Sequence, residues 1–158
     1  GEMIMAANPS VADIHEEPKR GHERLLAYWQ ELSGGRKFPE ETDIDTDAIA
    51  DLWNSCFLLN TGKDADHGFK YEFMGPSLIE AYGVDLTGQI HDEQTEPNIV
   101  SILNAFKNVA AKGEHIVDEA EFVNAASQTV KYRCCLVPFG KAPDQVKYIL
   151  GLMRWKIE

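Results

Sequence analysis

Three groups of side chains in this sequence could do chemistry: an adjacent cysteine pair, two runs of alternating acids, and histidines near a long helix. Cys134 and Cys135 stand side by side in "TVKYRCCLVPF". Neighbouring residues of a strand point to opposite faces, so one thiol belongs to the core and the other faces a second layer. No adjoining pattern supplies a base that would make either a thiolate. Cys56 opens another apolar run and reads as a small core residue. Acids alternate in "DIDTD" (43–47) and "DADHG" (64–68), as they do where calcium loops begin. An EF-hand loop then requires glycine at its sixth position and glutamate at its twelfth. Counted from Asp43 those places hold Ala48 and Asn54; counted from Asp64 they hold Phe69 and Gly75. Both runs therefore read as a helix start and a hairpin loop, and no metal site is expected.

Two histidines, His91 and His115, flank the long helix, one before it and one beyond its end. Neither sits on its apolar stripe, where an axial haem ligand would project inward, so haem is not expected. A flavin-adduct cysteine needs its own motif on a helix, and none is visible. The G-x-S-x-G, HExxH and P-loop patterns are absent, and "GPSLIEAYG" only superficially resembles a glycine loop. No catalytic residue is expected, hence no enzymatic activity. The remaining chemistry is recognition. Tyr71, Phe73, Tyr82, Phe106 and Tyr132, with Cys134, could converge as aromatic walls with a few polar tips around a small organic ligand. The same residues would equally fill a plain packed core.

The elements that must position these groups follow from periodicity. Residues 1–16 read as a mobile tail, with Gly1 as a cloning remnant. A flanking helical segment over 17–36 runs from Glu17 to Ser33, with Pro18 in its first turn and Gly34-Gly35 at its stop. After a connector, "TDAIADLW" reads as a short helix capped by Asp45 or Thr46. "CFLLNT" and "FKYEFMG" read as strands, and the second alternates, with Phe69, Tyr71 and Phe73 sharing one face. "PSLIEAYG" is a short helix, "DLTGQIHDEQ" is irregular, and a long amphipathic helix runs from about Glu96 to Lys112 with Thr95 as its cap. "HIVDEAEFVN", "TVKYRCCLVPF" and "VKYILGLMRWKI" close the chain as strands joined by hairpin turns. Antiparallel strands at both ends with helices between them make an α+β domain over 37–158, a sheet with helices on one face.

At 158 residues the chain is long enough for one domain with a real core. Acids outnumber bases 26 to 15, for a net charge of −11. Such a field repels phosphate backbones and anionic bilayers, so neither nucleic acid nor a membrane surface is expected as partner. No apolar run could span a bilayer, and no signal peptide is visible. Three cysteines without CxxC spacing fit a reduced, cytoplasmic protein.

In order and spacing, "YWQELSGGRKFP" with "DID", "FLL", "FKYEFMGPSLIEAYGVDLTG", "YRCCLVPFG" and "VKYILGLM" resemble the bacterial PAS_5 family of PAS domains, over roughly residues 25 to 153. The resemblance implies a five-stranded antiparallel sheet in the order 2-1-5-4-3, helices on one face, and a core that in other PAS domains sometimes holds a ligand. It also implies an N-terminal flanking helix that packs on the outer sheet face or across a dimer. Family members commonly carry an arginine and a proline where this chain has Glu41 and Thr46, so no role of that arginine transfers.

The helix stripe of Leu25, Leu26, Trp29 and Leu32, with Tyr28 beside it, needs an apolar partner surface. That surface is either the outer sheet face, near Met153 and Trp155, or the same helix of a second chain. The expected function is a stand-alone sensory module, without an effector after the last strand. It would act through an unidentified protein partner or through ligand-modulated homodimerisation. The alternative is a small-molecule carrier whose pocket lies between sheet and helices.

Overall fold

The computed structural model describes residues 11–62, 68–91, 100–141 and 145–158, the side chains of 11–20, 91 and 100 excepted. Helices α1 (Val11–Ser33), α2 (Pro76–Tyr82) and α3 (Val100–Lys112) accompany strands β1 (Cys56–Asn60), β2 (Phe69–Met74), β3 (Ile90–His91), β4 (Ile116–Val123), β5 (Thr129–Gly140) and β6 (Val146–Ile157). The sheet runs β3-β2-β1-β6-β5-β4, antiparallel at every pairing. Counting the five long strands alone, this is the expected order 2-1-5-4-3. No helix among the described residues is long and apolar enough to cross a membrane.

Three local expectations change. α1 begins at Val11 rather than Glu17, so residues 11–16 are helical and Pro18 falls inside the element. Ala and Glu in "VADIHEE" favour helix, and one proline removes a single backbone donor. "TDAIADLW" forms 3-10 turns, Thr46–Ile49 and later Trp53–Ser55, instead of a helix. The irregular "DLTGQIH" supplies β3, whose two residues pair with Phe69 and Lys70 of β2. The cap at Thr95 and the start of the long helix at Glu96 lie outside the described residues, as do most of "DADHG" and the middle of the last hairpin turn.

Register assigns the two faces of the sheet. Phe57 stands opposite Gly151, Gly151 opposite Leu136, Cys134 opposite Met153, and Tyr132 opposite Trp155. This inner face meets α2 and α3: the Phe57 ring lies 5.7 Å from that of Phe106, and Trp155 Nε1 donates to Ser77 Oγ at 3.0 Å. The outer face carries Cys56, Leu150, Leu152, Cys135 and Val137, and α1 lies across β5 and β6 there. Being covered on both sides, the middle stretches of β5 and β6 are buried without alternation, which is why "CCLVPF" and "ILGLM" read as unbroken apolar runs.

Candidate functional site

The inner face holds a continuous run of rings. Phe69 touches Phe106 (5.6 Å between centroids), Phe106 touches Phe57 (5.7 Å), and Phe57 touches Tyr71 (6.0 Å). Tyr71 meets Tyr82 edge-on at 6.0 Å, Tyr82 meets Phe122 at 5.0 Å, and Phe122 meets Tyr132 at 5.7 Å. Tilted and edge-to-face pairs at these separations attract beyond simple burial. Four of the expected pocket residues, Tyr71, Tyr82, Phe106 and Tyr132, thus come together, and Cys134 is buried on the same face.

Phe73 does not join them. The pairing of β1 with β2 shifts between Leu58 and Leu59, so Leu58 faces Phe73 while Leu59 faces Tyr71. The extra residue of this bulge turns Phe73 to the outer side, where it stacks on Trp53 at 4.8 Å. Strict alternation placed it with Phe69 and Tyr71, and a single-residue slip reverses a side chain's face. Phe57 and Phe122 are members that the expectation omitted. Their signal lies in two-residue spacing: Phe57 with Leu59, and Phe122 with Ala120 and Ile116.

The polar tips of the run are hydroxyls. Tyr71 Oη donates to Tyr82 Oη at 3.0 Å, and Ser101 Oγ lies 3.2 Å from Tyr132 Oη. Burial lifts the Tyr82 hydroxyl well above its ordinary range and pushes that of Tyr132 up to about 12. Both are therefore neutral at physiological pH, able to donate and accept hydrogen bonds but not to carry charge. Burial raises the thiols of Cys56 and Cys135 to about 12 and pushes Cys134 higher still, which keeps all three as poorly nucleophilic thiols. Below the run, Gly151 lets the Phe57 ring lie flat against the sheet; a Cβ there would come within 2.3 Å of Phe57 Cζ. At the far end Asn124 Nδ2 donates to the Ala81 carbonyl at 3.0 Å, tying the β4–β5 turn to α2.

On the outer face, Leu25 and Trp29 are buried against the chain's own sheet, with Leu26, Tyr28 and Leu32 packed partly around them. The Trp29 indole Nε1 donates to the carbonyl of Pro138 at 2.7 Å. β4 pairs with β5 only as far as Leu136, so this carbonyl lies beyond the last rung of that ladder. The connector continues the same protection: Gly140 N–H donates to the Pro39 carbonyl at 2.9 Å, and Phe38 is buried beside it. Arg36 closes the helix end by donating to the carbonyls of Leu32 (2.7 Å) and Ser33 (3.2 Å), and pairs with Asp43 at 3.0 Å. The Tyr28 hydroxyl accepts from Asp45 N–H at 2.7 Å.

Met153 and Trp155 were expected under α1, but they face α2 and α3. Strand parity puts Leu152 and Arg154 beneath the helix, and their odd-numbered neighbours must then point the other way. The acids of "DIDTD" act as caps: Asp43 accepts from Glu40 N–H and Asp45 from Asp47 N–H, both at 3.0 Å. The Glu40 amide, followed by the Arg36 guanidinium, holds the Asp43 carboxyl below its usual range. Among the described residues no three His, Cys, Asp or Glu converge on one point. His115 is exposed and its ring lies 5.8 Å from Trp29, on the opposite side of the sheet edge from the aromatic run; the side chain of His91 is outside the described residues.

A family model described as a PAS domain, PAS_5, matches residues 18–154. Among solved structures, the chain is similar to the LOV protein of Rhodobacter sphaeroides, with a TM-score of 0.51 and 12% identity over 71% of this chain and 68% of that one. It is also similar to the RsLOV d2 variant, with a TM-score of 0.50 and 12% identity over 63% of this chain and 57% of that one. At such identity the likeness concerns the fold alone. No curated protein matches the sequence.

Proposed function

The chain belongs to the PAS_5 family of PAS domains, and from that premise we propose a sensory module that signals through the docking of α1 on the outer sheet face. One observation carries this reading: β5 and β6 hold both layers. Tyr132, Cys134 and Met153 face the aromatic run, while Cys135, Leu150 and Leu152 lie beneath α1. A change in inner packing therefore has adjacent residues of the same strands through which to bias the helix. A small neutral ligand with hydrogen-bonding tips suits the tyrosine hydroxyls. It would act by binding one packing of α1 better than the other. Release of α1 uncovers an apolar strip that a second copy of the chain or another protein can bury, giving a homodimer or a heterologous complex.

Thiols report the step. Cys56 and Cys135 sit beneath α1, whereas Cys134 sits in the inner core. In the full chain, loosening α1 with Trp29→Ala should speed labelling of Cys56 and Cys135, leave Cys134 protected, and raise dimer content or partner capture. Faster labelling with no change in either assembly readout would overturn the reading. A carrier is the second reading, favoured by the hydroxyl pairs inside an aromatic wall. Native mass spectrometry of protein from its own host distinguishes them: a stoichiometric bound molecule without partner capture supports the carrier.

A further inference from the structure

Among the described residues, the α1–sheet contact contains a histidine that neither the helix stripe nor the aromatic run uses. His22 is 4% exposed, and neither Nδ1 nor Nε2 has a hydrogen-bond partner. Buried polar atoms of folded chains are nearly always paired. Arg133 of β5 and Arg154 of β6, direct cross-strand partners on the outer face, carry the charges that act on it. Like charges in such positions repel. Each guanidinium also keeps a buried Nε without a partner.

The counter-charge is sparse. Arg154 Nη1 donates to a neutral group, Ser55 Oγ, at 2.6 Å. Among the described residues, the carboxylate paired with Arg133 is that of Glu119 on the edge strand β4, at 3.9 Å. Among the described side chains of α1, Arg24 is paired with Asp51, and Glu23 is exposed. Further along the outer face, Lys131 is paired with Glu158 at 3.1 Å. Helix and strands are close here: a Cβ on Gly21 would lie 3.4 Å from Leu152 Cδ2 and 3.5 Å from Arg154 Nη2.

We propose that His22 makes the docking of α1 proton-sensitive: the neutral ring is sealed between helix and sheet, and its protonation drives the helix off. A proton on this ring adds positive charge to a layer in which, among the described side chains, the two arginines face one distant carboxylate. Burial chiefly, then the charges of Arg133 and Arg154, lowers the His22 pKa from the ordinary 6.5 to about 4. The Arg133 carbonyl pulls weakly the other way, without a hydrogen bond of normal geometry to either ring nitrogen. Because the docked form resists protonation, docking is strongest above pH 6.5 and is lost as the pH falls towards 4. The weakening amounts to about 30-fold at pH 5 and about 300-fold once both forms are protonated.

This inference rests on α1 being the moving element proposed above, and its test separates the two. In the full chain, NMR follows the His22 ring together with the Trp29 indole N–H, which reports docking through its bond to Pro138. Between about pH 7.5 and 4.5 the indole resonance should move to its free position as acid is added, with His22 titrating well below an ordinary histidine. His22→Leu should keep the indole in its bonded position throughout. The proposal is overturned if wild-type His22 titrates at its ordinary value with the indole still bonded, a readout that needs no variant. It is equally overturned if His22→Leu releases α1 with the same acid profile. If Trp29→Ala releases the helix at neutral pH but acid does not, the proton switch alone falls. If acid releases it without any change in partner capture or dimer content, the functional reading falls and the switch stands.

Discussion

Trp29→Phe isolates one bond in the contact that holds α1 to the sheet. The indole Nε1–H donates to the Pro138 carbonyl at 2.7 Å, in a setting where Trp29 is only 7% exposed. Phenylalanine keeps most of the apolar contact and deletes the donor. The carbonyl it served lies past Leu136, the last β5 residue paired with β4, so no strand takes over. Leaving a buried acceptor without its partner costs about 1–3 kcal/mol. Trp29→Ala removes the ring as well, and large-to-small changes of that kind cost about 3–5 kcal/mol. The two variants should therefore fall in order, with the phenylalanine form intermediate. Urea unfolding followed by far-UV circular dichroism reads the difference without relying on tryptophan emission. With slopes of roughly 1–3 kcal/mol/M for a domain of this size, the phenylalanine variant should lose about 1 M in midpoint. A phenylalanine variant with wild-type midpoint and slope would mean that the indole bond contributes nothing, and the reasoning would be refuted.

Two further variants probe the inner face. Gly151→Ala places a carbon within 2.3 Å of Phe57 Cζ, so the ring must turn away from both Phe106 and Tyr71. Thermal unfolding should register a loss of about 1–3 kcal/mol, and unaltered Phe57 ring shifts would contradict the packing described. Asn124→Ala removes the donor to Ala81 and the acceptor that receives the amides of Ala126 and Gln128, each at 2.9 Å. A cost of about 1–3 kcal/mol is expected, read as a lowered urea midpoint; a neutral result would show that water satisfies the turn equally well.

Much of this architecture was legible in local pattern. Two-residue alternation located β2, an amphipathic stripe ended by glycine located α1 and the described part of α3, and hairpin turns between apolar stretches located β4, β5 and β6. The reading failed where a single residue altered parity. At Phe73 a bulge of one residue sent an aromatic ring to the opposite layer, and no composition signal announces it. At Met153 and Trp155 the apolar character was right and the face was wrong, because both layers above β6 are apolar and alternation disappears. The start of α1 was misplaced because Pro18 looks like a first-turn residue, although helix formers on both sides carry the element through it.

By itself the sequence determined the class of fold, the order of its elements, and the family likeness carried by "YWQELSGGRKFP" and the strands. These depend on period, composition and spacing, which are local or summed properties. The tertiary structure alone decided that Trp29 reaches a carbonyl 109 residues away, and that Phe38 and Pro39 continue the edge of β5. It alone decided that buried His22 comes within the field of two arginines from different strands. Those contacts join positions far apart in the chain, and their energies depend on burial, hydrogen-bond geometry and nearby charge, none of which exists until the layers close.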